Sequence, residues 1–194
     1  MKEYKNWYPR DLDDAAKKQV DDFILSKKRY LFLDIDGVLI SAGRCIALGY
    51  LPTPSMFTGE RKRRDLNINE FCPTAVKLIQ RLQVNVNAEI ILHSTWREVF
   101  SLEEFNAVFP FTVSAITGDG DRTERVCNYI TDNGLAIEDV AIIDDASFRE
   151  KDSTINLKDR WQRVDSNLGF TGYDFNDIVQ KFGIVRVDLP VFLF

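Results

Sequence analysis

Two aspartates, Asp34 and Asp36, lie two residues apart at the end of an apolar run, in the stretch YLFLDIDGVLI (30–40). Carboxylates this close repel each other, and burying them is costly unless a cation or a shared proton compensates their charge. A second acidic pair, Asp144 and Asp145, ends another apolar run. Sites built from carboxylates alone favour a hard cation, so the sequence predicts a Mg²⁺ site that receives a substrate phosphate.

Two simpler interpretations of these residues are weaker. Asp36 followed by Gly37 could be an ordinary turn, in which glycine lets the backbone bend sharply or approach a ligand closely. A turn alone does not account for the second acidic pair after a separate apolar run. A calcium loop fits poorly, because neither DIDGVL nor GDGDRTE (118–124) completes the EF-hand ligand series.

The apolar runs that carry these residues have the length and composition of buried strands. Four are predicted, at 30–34, 89–93, 111–117 and 139–144. Helical periodicity lies between and around them: about 11–25, from Pro73, from the capping-box sequence SLEE (101–104), around Val126–Ile130, and around Phe175–Phe182.

Alternating strands and helices predict an α/β fold, a three-layer α/β/α sandwich around a mainly parallel, Rossmann-like sheet. Ligands of such sheets bind beyond the carboxyl ends of the strands. Asp34, Ser94, Thr117 and Asp144 all fall at predicted carboxyl ends, so we expect the chemistry there.

The composition bounds the domain organisation and the setting. With 194 residues, 45% of them hydrophobic, the chain is expected to form one catalytic domain, residues 29–194, preceded by a helical extension, residues 1–28. A short insert at about 41–70 interrupts it. Three scattered cysteines, and the lack of a long apolar run or signal-like start, predict a cytoplasmic protein without a membrane partner. The net charge of −5 argues against an extended nucleic-acid surface.

The ordered motifs resemble the haloacid dehalogenase (HAD) superfamily of phosphohydrolases. The resemblance rests on Asp34-x-Asp36 after an apolar strand, Ser94 ending the next strand, and the Asp144–Asp145 pair. More narrowly, DIDGVL, IILHSTWR, DRTERVCNYI, AIIDD and WQRVDSNLGFT resemble the small HAD domains associated with RNA-repair proteins. The resemblance spans most of residues 29–182.

The resemblance implies phosphoryl transfer through an aspartyl-phosphate. Asp34 would be the nucleophile, and Asp36, which in this family marks phosphatases rather than dehalogenases, the general acid and base. Ser94 and the backbone N–H of Thr95 would bind phosphoryl oxygens. The family's third motif is a Lys or Arg before the last core strand, more often Lys, and Arg122 would take this third-motif position.

The remaining assignments concern the metal and the neighbouring arginines. Mg²⁺ would be held by Asp34, the backbone carbonyl of Asp36, and the Asp144–Asp145 pair. Arg125 is the alternative to Arg122, and Arg97 would either brace the loop or contact a substrate phosphate. His93 and Trp96 are expected to be packing residues.

The substrate class follows only from the resemblance, as a nucleotide or a nucleic-acid terminal phosphate. A small-metabolite phosphatase or phosphotransferase is the close alternative, and a non-catalytic HAD-fold binding domain is the alternative from another class. The basic segment ERKRRD (60–65) could contact substrate phosphates or be a solvated loop. The apolar tail GIVRVDLPVFLF (183–194) is expected to dock on the core.

Overall fold

A computed structural model of the chain describes residues 13–49, 66–149 and 155–184. Within these ranges, five strands form one sheet in the order β3-β2-β1-β4-β5, and every neighbouring pair is parallel. The strands are β1 (Arg29–Leu33), β2 (Ala88–Leu92), β3 (Val113–Ile116), β4 (Val140–Asp144) and β5 (Trp161–Arg163). The predicted three-layer α/β fold is confirmed, with a sheet that is parallel throughout.

Six helices flank this sheet in the described residues. They are α1 (Asp14–Ser26), α2 (Ala42–Ala47), α3 (Pro73–Asn85), α4 (Leu102–Val108), α5 (Arg122–Asp132) and α6 (Gly172–Lys181). Local signals account for several of their starts. Pro73 opens α3, and the Ser101–Glu104 capping box opens α4, as the sequence predicts.

The sheet separates two apolar clusters, which form the two interfaces of the sandwich. The larger one packs α3 and α6 against one face, with Leu31, Leu33, Ile79 and Phe175 almost fully buried. The smaller one packs α5 against the opposite face, around Phe32. Alternate residues of β1 therefore enter different clusters, as the period-two geometry of a strand requires.

The central strand β1 fixes where the chemistry can lie. It pairs with β2 from Arg29↔Ala88 to Leu33↔Leu92, and with β4 from Tyr30↔Val140 to Leu33↔Ile143. The carboxyl ends of three strands therefore lie side by side. The edge strand β5 was not predicted, because its three residues, Trp-Gln-Arg, contain no apolar run.

Several sequence predictions concern residues outside the described ranges. These include the basic segment 60–65, most of the insert at 41–70, and the tail from residue 185 onward. At the start of the insert the chain forms the short helix α2. Among the described residues, no helix is both long enough and apolar enough to cross a membrane. The division into residues 1–28 and 29–194 stays a prediction.

Candidate active site

The functional residues predicted from the sequence meet at the carboxyl ends of β1, β2 and β4. The Asp34 N–H donates to the Ile143 carbonyl at 3.0 Å, and the His93 N–H donates to the Leu33 carbonyl at 3.1 Å. These bonds extend the sheet ladder by one residue beyond the strands. Asp34, the residue pair His93–Ser94 and Asp144 are thereby held in one row at the rim.

Three carboxylates form the centre of this rim. Asp34, Asp144 and Asp145 each offer an oxygen, and these three oxygens lie within 4.8 Å of one another. Asp34 and Asp144 are buried, whereas the Asp145 side chain keeps 30% of its surface exposed. The apolar strand residues before Asp34 and Asp144 pack in the core, and these two aspartates are themselves only 1% and 0% exposed.

The Arg122 guanidinium is the cation that faces all three carboxylates. Its Nη1 donates to Asp34 Oδ2 at 2.9 Å, contacts Asp144 Oδ1, and lies 3.4 Å from Asp145 Oδ1. Arg122 is the first residue of α5, so the helix start carries this side chain to the rim. The Glu124 carboxylate accepts from the Asp121 N–H at 3.2 Å and fixes that start.

The carboxylate centre holds more negative charge than its arginine compensates. Burial, followed by the charge of Asp34, raises the pKa of Asp144 to about 8. The same two causes raise the pKa of Asp145. Burial opposes the positive charge of Arg122, but the three carboxylates outweigh it and raise the pKa of the guanidinium. One arginine therefore does not fully compensate three carboxylates.

These residues fit a divalent metal ion. The donor set consists of carboxylate oxygens, the ligands that Mg²⁺ prefers. The buried Oδ2 of Asp144 has no hydrogen-bond partner among the described residues, although its Oδ1 accepts from the Ala146 N–H at 2.7 Å. A cation would satisfy that oxygen and the excess charge together. The side chain of Asp36 does not belong to this group.

Gly37 makes room for one of the carboxylates. Its φ of +73° lies in the left-handed region, and a Cβ built on it would collide with the Asp145 carboxylate. The sequence prediction was that this glycine permits a sharp turn or a close approach. The observed approach is that of Asp145, and a substrate contact by Gly37 stays a prediction.

The Asp36 carboxylate is oriented by an indole. Trp96 Nε1 donates to Asp36 Oδ1 at 3.0 Å. The Trp96 ring is itself held by stacking on Phe100, with ring centroids 5.6 Å apart, and by a tilted contact with Phe71 at 5.8 Å. The sequence predicted only packing for Trp96. Packing is present, and the polar bond to Asp36 is the addition that sequence reasoning missed.

Ser94, Thr95 and Arg97 form the turn that leaves β2. Ser94 is buried and caps the 3₁₀ helix Thr95–Glu98, whereas Thr95 is exposed. The Arg97 side chain is almost buried, and its Nη1 donates to the Ser94 carbonyl at 3.3 Å. This contact braces the turn, which is one of the two roles expected for Arg97. A phosphate contact by any of the three stays a prediction.

The structure gives Arg122 and Arg125 different surroundings. Arg125 Nη2 donates to the His93 carbonyl at 2.7 Å, and its Nη1 donates to the Gly120 carbonyl at 3.1 Å. Arg125 therefore ties the start of α5 to the end of β2 through backbone atoms, and Arg122 is the arginine that contacts the carboxylates.

His93 is buried, as expected for a packing residue, but it is also a neighbour of the centre. Its ring meets Phe32 and Trp161 edge-on, and its Nε2 lies 3.6 Å from Asp144 Oδ2. Burial lowers the pKa of His93 to about 4, so the imidazole is neutral near pH 7.

Comparison with known families agrees with this arrangement. The family model described as the HAD domain in Swiss Army Knife RNA repair proteins matches residues 30–175. The chain belongs to this family. The matched range runs from β1 into α6 and contains all the carboxylates of the rim. Searches of curated proteins and of solved structures find no match.

Family membership confirms the resemblance seen in the sequence, including its narrower form. In a HAD domain of this type, the cluster of buried Asp34 and Asp144 with half-buried Asp145 fits the expected metal site. The individual roles of Asp36, Ser94, Thr95, Arg97 and Arg122 stay predictions. The bond from Trp96 has a partial signal in the sequence, because the indole N–H of a buried tryptophan needs an acceptor.

Proposed function

We propose that this HAD domain is a Mg²⁺-dependent phosphatase that works through an aspartyl-phosphate on Asp34. The observation that supports this most directly is the contact of Asp34 with Arg122 at 2.9 Å, beside two further carboxylates. A buried nucleophile next to a fixed cation suits attack on an anionic phosphate, because the cation offsets the repulsion between the two.

In the first step, an Asp34 carboxylate oxygen attacks the phosphorus of the substrate. The bond between phosphorus and the leaving oxygen breaks, and Asp36 gives its proton to that oxygen. The bond from Trp96 to Asp36 Oδ1 supports this assignment, because it orients the carboxyl group and assigns one oxygen to the indole.

In the second step, a water molecule attacks the phosphorus of the aspartyl-phosphate. Asp36, now a carboxylate, takes a proton from the water, and the bond between phosphorus and the Asp34 oxygen breaks. Inorganic phosphate leaves, and both aspartates return to their initial states. One residue thus serves as acid and then as base, which the two steps require of it.

Charge stabilisation comes from the surroundings of the transferred group. When bound at Asp34, Asp144 and Asp145, Mg²⁺ supplies positive charge that neutralises the phosphoryl oxygens. Arg122 adds a permanent charge, and the Ser94 hydroxyl and the Thr95 N–H, both in the turn after β2, would donate hydrogen bonds to the phosphoryl oxygens.

For the substrate, we propose a terminal phosphate of a nucleic acid. This rests on membership of a family described by its occurrence in RNA-repair proteins. A nucleic-acid end offers a phosphate monoester, which is the bond type that the two steps break.

The substitution Asp34→Asn tests the mechanism. With Mg²⁺ present, we expect hydrolysis of an aryl phosphate and of a phosphorylated oligonucleotide to fall by at least about 10³-fold, because the amide is not a nucleophile. Phosphate release in steady state is the measurement, and trapping of a phosphorylated protein by acid quench should succeed with the wild type only.

Asp132→Asn is the matched control, because it makes the same change at an exposed position near the end of α5. It should leave the rate unchanged. A wild-type protein that hydrolyses no member of a broad phosphate panel with any divalent metal would overturn the proposal, and so would an Asp34→Asn variant that retains the wild-type rate.

A further inference from the structure

A mixed cationic and aromatic cleft lies beside the carboxylate centre. It measures about 440 Å³ and is lined by Ser147, Phe148, Lys158, Trp161 and Arg163. The first two residues follow the acidic pair that ends β4, and the last two belong to the edge strand β5. The volume lies within the range of pockets that hold small organic ligands.

The walls of the cleft are fixed by Trp161. Its Nε1 donates to the Ala146 carbonyl at 2.9 Å, which anchors the segment after β4 to the edge strand. Phe148 packs on it with ring centroids 5.6 Å apart at an angle of 44°. Trp161 is buried while Phe148 keeps part of its ring exposed, so Phe148 offers an aromatic surface to a ligand.

Among the residues that the structure describes, the charged side chains that line the cleft are both cations. Lys158 and Arg163 are both exposed and both line it, in a chain whose net charge is −5. Two cations beside an aromatic ring match the chemistry of a nucleotide unit, which presents a phosphodiester and a flat base.

Arg163 links the cleft to the acidic pair that ends β4. Arg163 is the strand partner of Asp144, and its Nε donates to the Asp145 carbonyl at 3.4 Å. The Asp145 carboxylate belongs to the centre, so a residue that lines the cleft contacts the backbone of a residue of the centre. A chain whose end lies at Asp34 can therefore place its next unit in the cleft.

We propose that this cleft binds the penultimate nucleotide of a single-stranded nucleic-acid end. Arg163 and Lys158 bind its phosphodiester, and its base stacks on Phe148. A single strand is required because a base paired in a duplex has both faces covered by its neighbours and cannot reach a protein ring. This assignment rests on the proposed phosphatase function and names the feature that selects a polymer over a mononucleotide.

The test compares three kinds of phosphate ester as substrates of the full chain. They are a single-stranded hexanucleotide with a terminal phosphate, the matching mononucleotide, and an aryl phosphate. The hexanucleotide is used in a 5′-phosphorylated and a 3′-phosphorylated form. In the double variant Lys158→Ala/Arg163→Ala, the ratio of kcat/KM for the hexanucleotide to that for the aryl phosphate should fall at least tenfold. Phe148→Ala should lower the same ratio about 5- to 100-fold, and Phe148→Tyr should restore it.

Lys77→Ala is the matched control, because Lys77 is exposed on α3, away from the residues that line the cleft. It should leave the ratio unchanged. A parallel binding measurement uses Asp34→Asn protein and the same hexanucleotide. The logarithmic salt dependence of its Kd should decrease in slope by about 1 to 2 when both cations are removed.

The outcomes separate the two proposals. If the wild type hydrolyses the aryl phosphate but gains nothing from the polymer, the cleft assignment is wrong and the phosphatase function stands. If no ester is hydrolysed but the hexanucleotide binds in a manner that depends on Arg163 and Lys158, the phosphatase function is wrong and the cleft assignment stands. Equal losses for all three esters in the double variant would also overturn the cleft assignment.

Discussion

An arginine lies at each end of the sheet. The one at the amino end contacts backbone carbonyls and aromatic rings, and the one at the carboxyl end contacts carboxylates. At the amino end, Arg29 Nη1 donates to the carbonyls of Ile24 and Val86 at 3.1 and 3.0 Å, and its guanidinium lies 5.6 and 5.7 Å from the ring centroids of Phe23 and Phe182. At the carboxyl end, Arg122 faces carboxylates.

These contacts imply different roles for the two ends of the sheet, one in holding helices and the other in carrying charge. Arg29 contacts the backbone and rings of α1, the end of α3 and the end of α6, so it holds these helices to the sheet, although its buried Nη2 has no hydrogen-bond partner among the described residues. Burial lowers its pKa, and the charge of the Asp139 carboxylate opposes this shift only in part. Arg122 instead has a raised pKa and lies where charge would move. The amino end therefore holds an arginine that joins helices, and the carboxyl end holds an arginine among carboxylates whose charge it does not fully compensate.

The strongest test of this contrast is Arg122→Ala. With saturating Mg²⁺, we expect kcat for an aryl phosphate to fall about 10²- to 10³-fold, equivalent to about 2.7–4 kcal/mol of transition-state stabilisation. Arg122→Lys should retain most of the rate, because it keeps a cation at the same helix start. A near-wild-type kcat for Arg122→Ala would move the third-motif role away from this residue.

Arg29→Met is the counterpart at the amino end. The substitution removes a donor from two carbonyls of buried residues, so the free energy of unfolding should drop by about 2–3 kcal/mol. Denaturant unfolding measures this, with or without Mg²⁺. Below the unfolding transition, kcat should stay within about twofold of the wild type. Loss of activity without loss of stability would contradict the division between the two ends.

Without added Mg²⁺, the carboxyl end of the sheet should also make the free energy of unfolding depend on pH. Folding raises the pKa of Asp144 from 3.8 to about 8, so its contribution is present at low pH and is lost as the pH rises toward 8. Folding lowers the pKa of His93 from 6.5 to about 4, so its contribution is lost as the pH falls from 6.5 toward 4.

Between pH 4 and 6.5 these two contributions oppose each other, and from 6.5 to 8 only that of Asp144 remains. From Asp144 and His93 together, we expect the free energy of unfolding to stay level between pH 4 and 6.5 and then to decline toward pH 8. The limiting slope of the decline is about 1.4 kcal/mol per pH unit. In His93→Phe the decline should start near pH 4, and in Asp144→Asn it should be absent. Saturating Mg²⁺ should abolish the decline in the wild type. An unchanged profile in both variants would refute this account.

The smallest expected effect is that of Trp96→Phe, which keeps the stacked ring and removes the N–H bonded to Asp36. If Asp36 is the general acid, esters with poor leaving groups should suffer most. We expect kcat/KM to fall about tenfold for an alkyl phosphate and less than twofold for a nitrophenyl phosphate. Phe100→Leu, which disturbs the same stack without removing that donor, is the control and should affect both esters alike.

Much of this arrangement could be predicted from the sequence because it follows from short patterns. The apolar runs before Asp34 and Asp144 predict buried strands, and parallel strands bring their carboxyl ends to one edge. The capping box at Ser101 was predicted in the same way and is present. These features depend on neighbouring residues, so a single chain contains enough information to place them.

What could not be predicted depends on residues far apart in the chain. Strand β5 is three residues long and obtains its stability from pairing with β4 rather than from an apolar run. The bond between Trp96 and Asp36 joins residues 60 positions apart, and its direction depends on packing against Phe71 and Phe100. The different partners of Arg122 and Arg125 likewise depend on how α5 rotates on the sheet.

The order of these residues along the chain has a consequence for synthesis. Asp34 emerges from the ribosome 88 positions before Arg122, and Arg122 emerges 22 positions before Asp144. The counter-charge is thus available before the second buried carboxylate has been made. β4, which pairs with β1, then brings Asp144 into a row that already contains a cation. A circular permutation that places β4 ahead of α5 would reverse this order, and we expect it to slow folding more than it lowers stability.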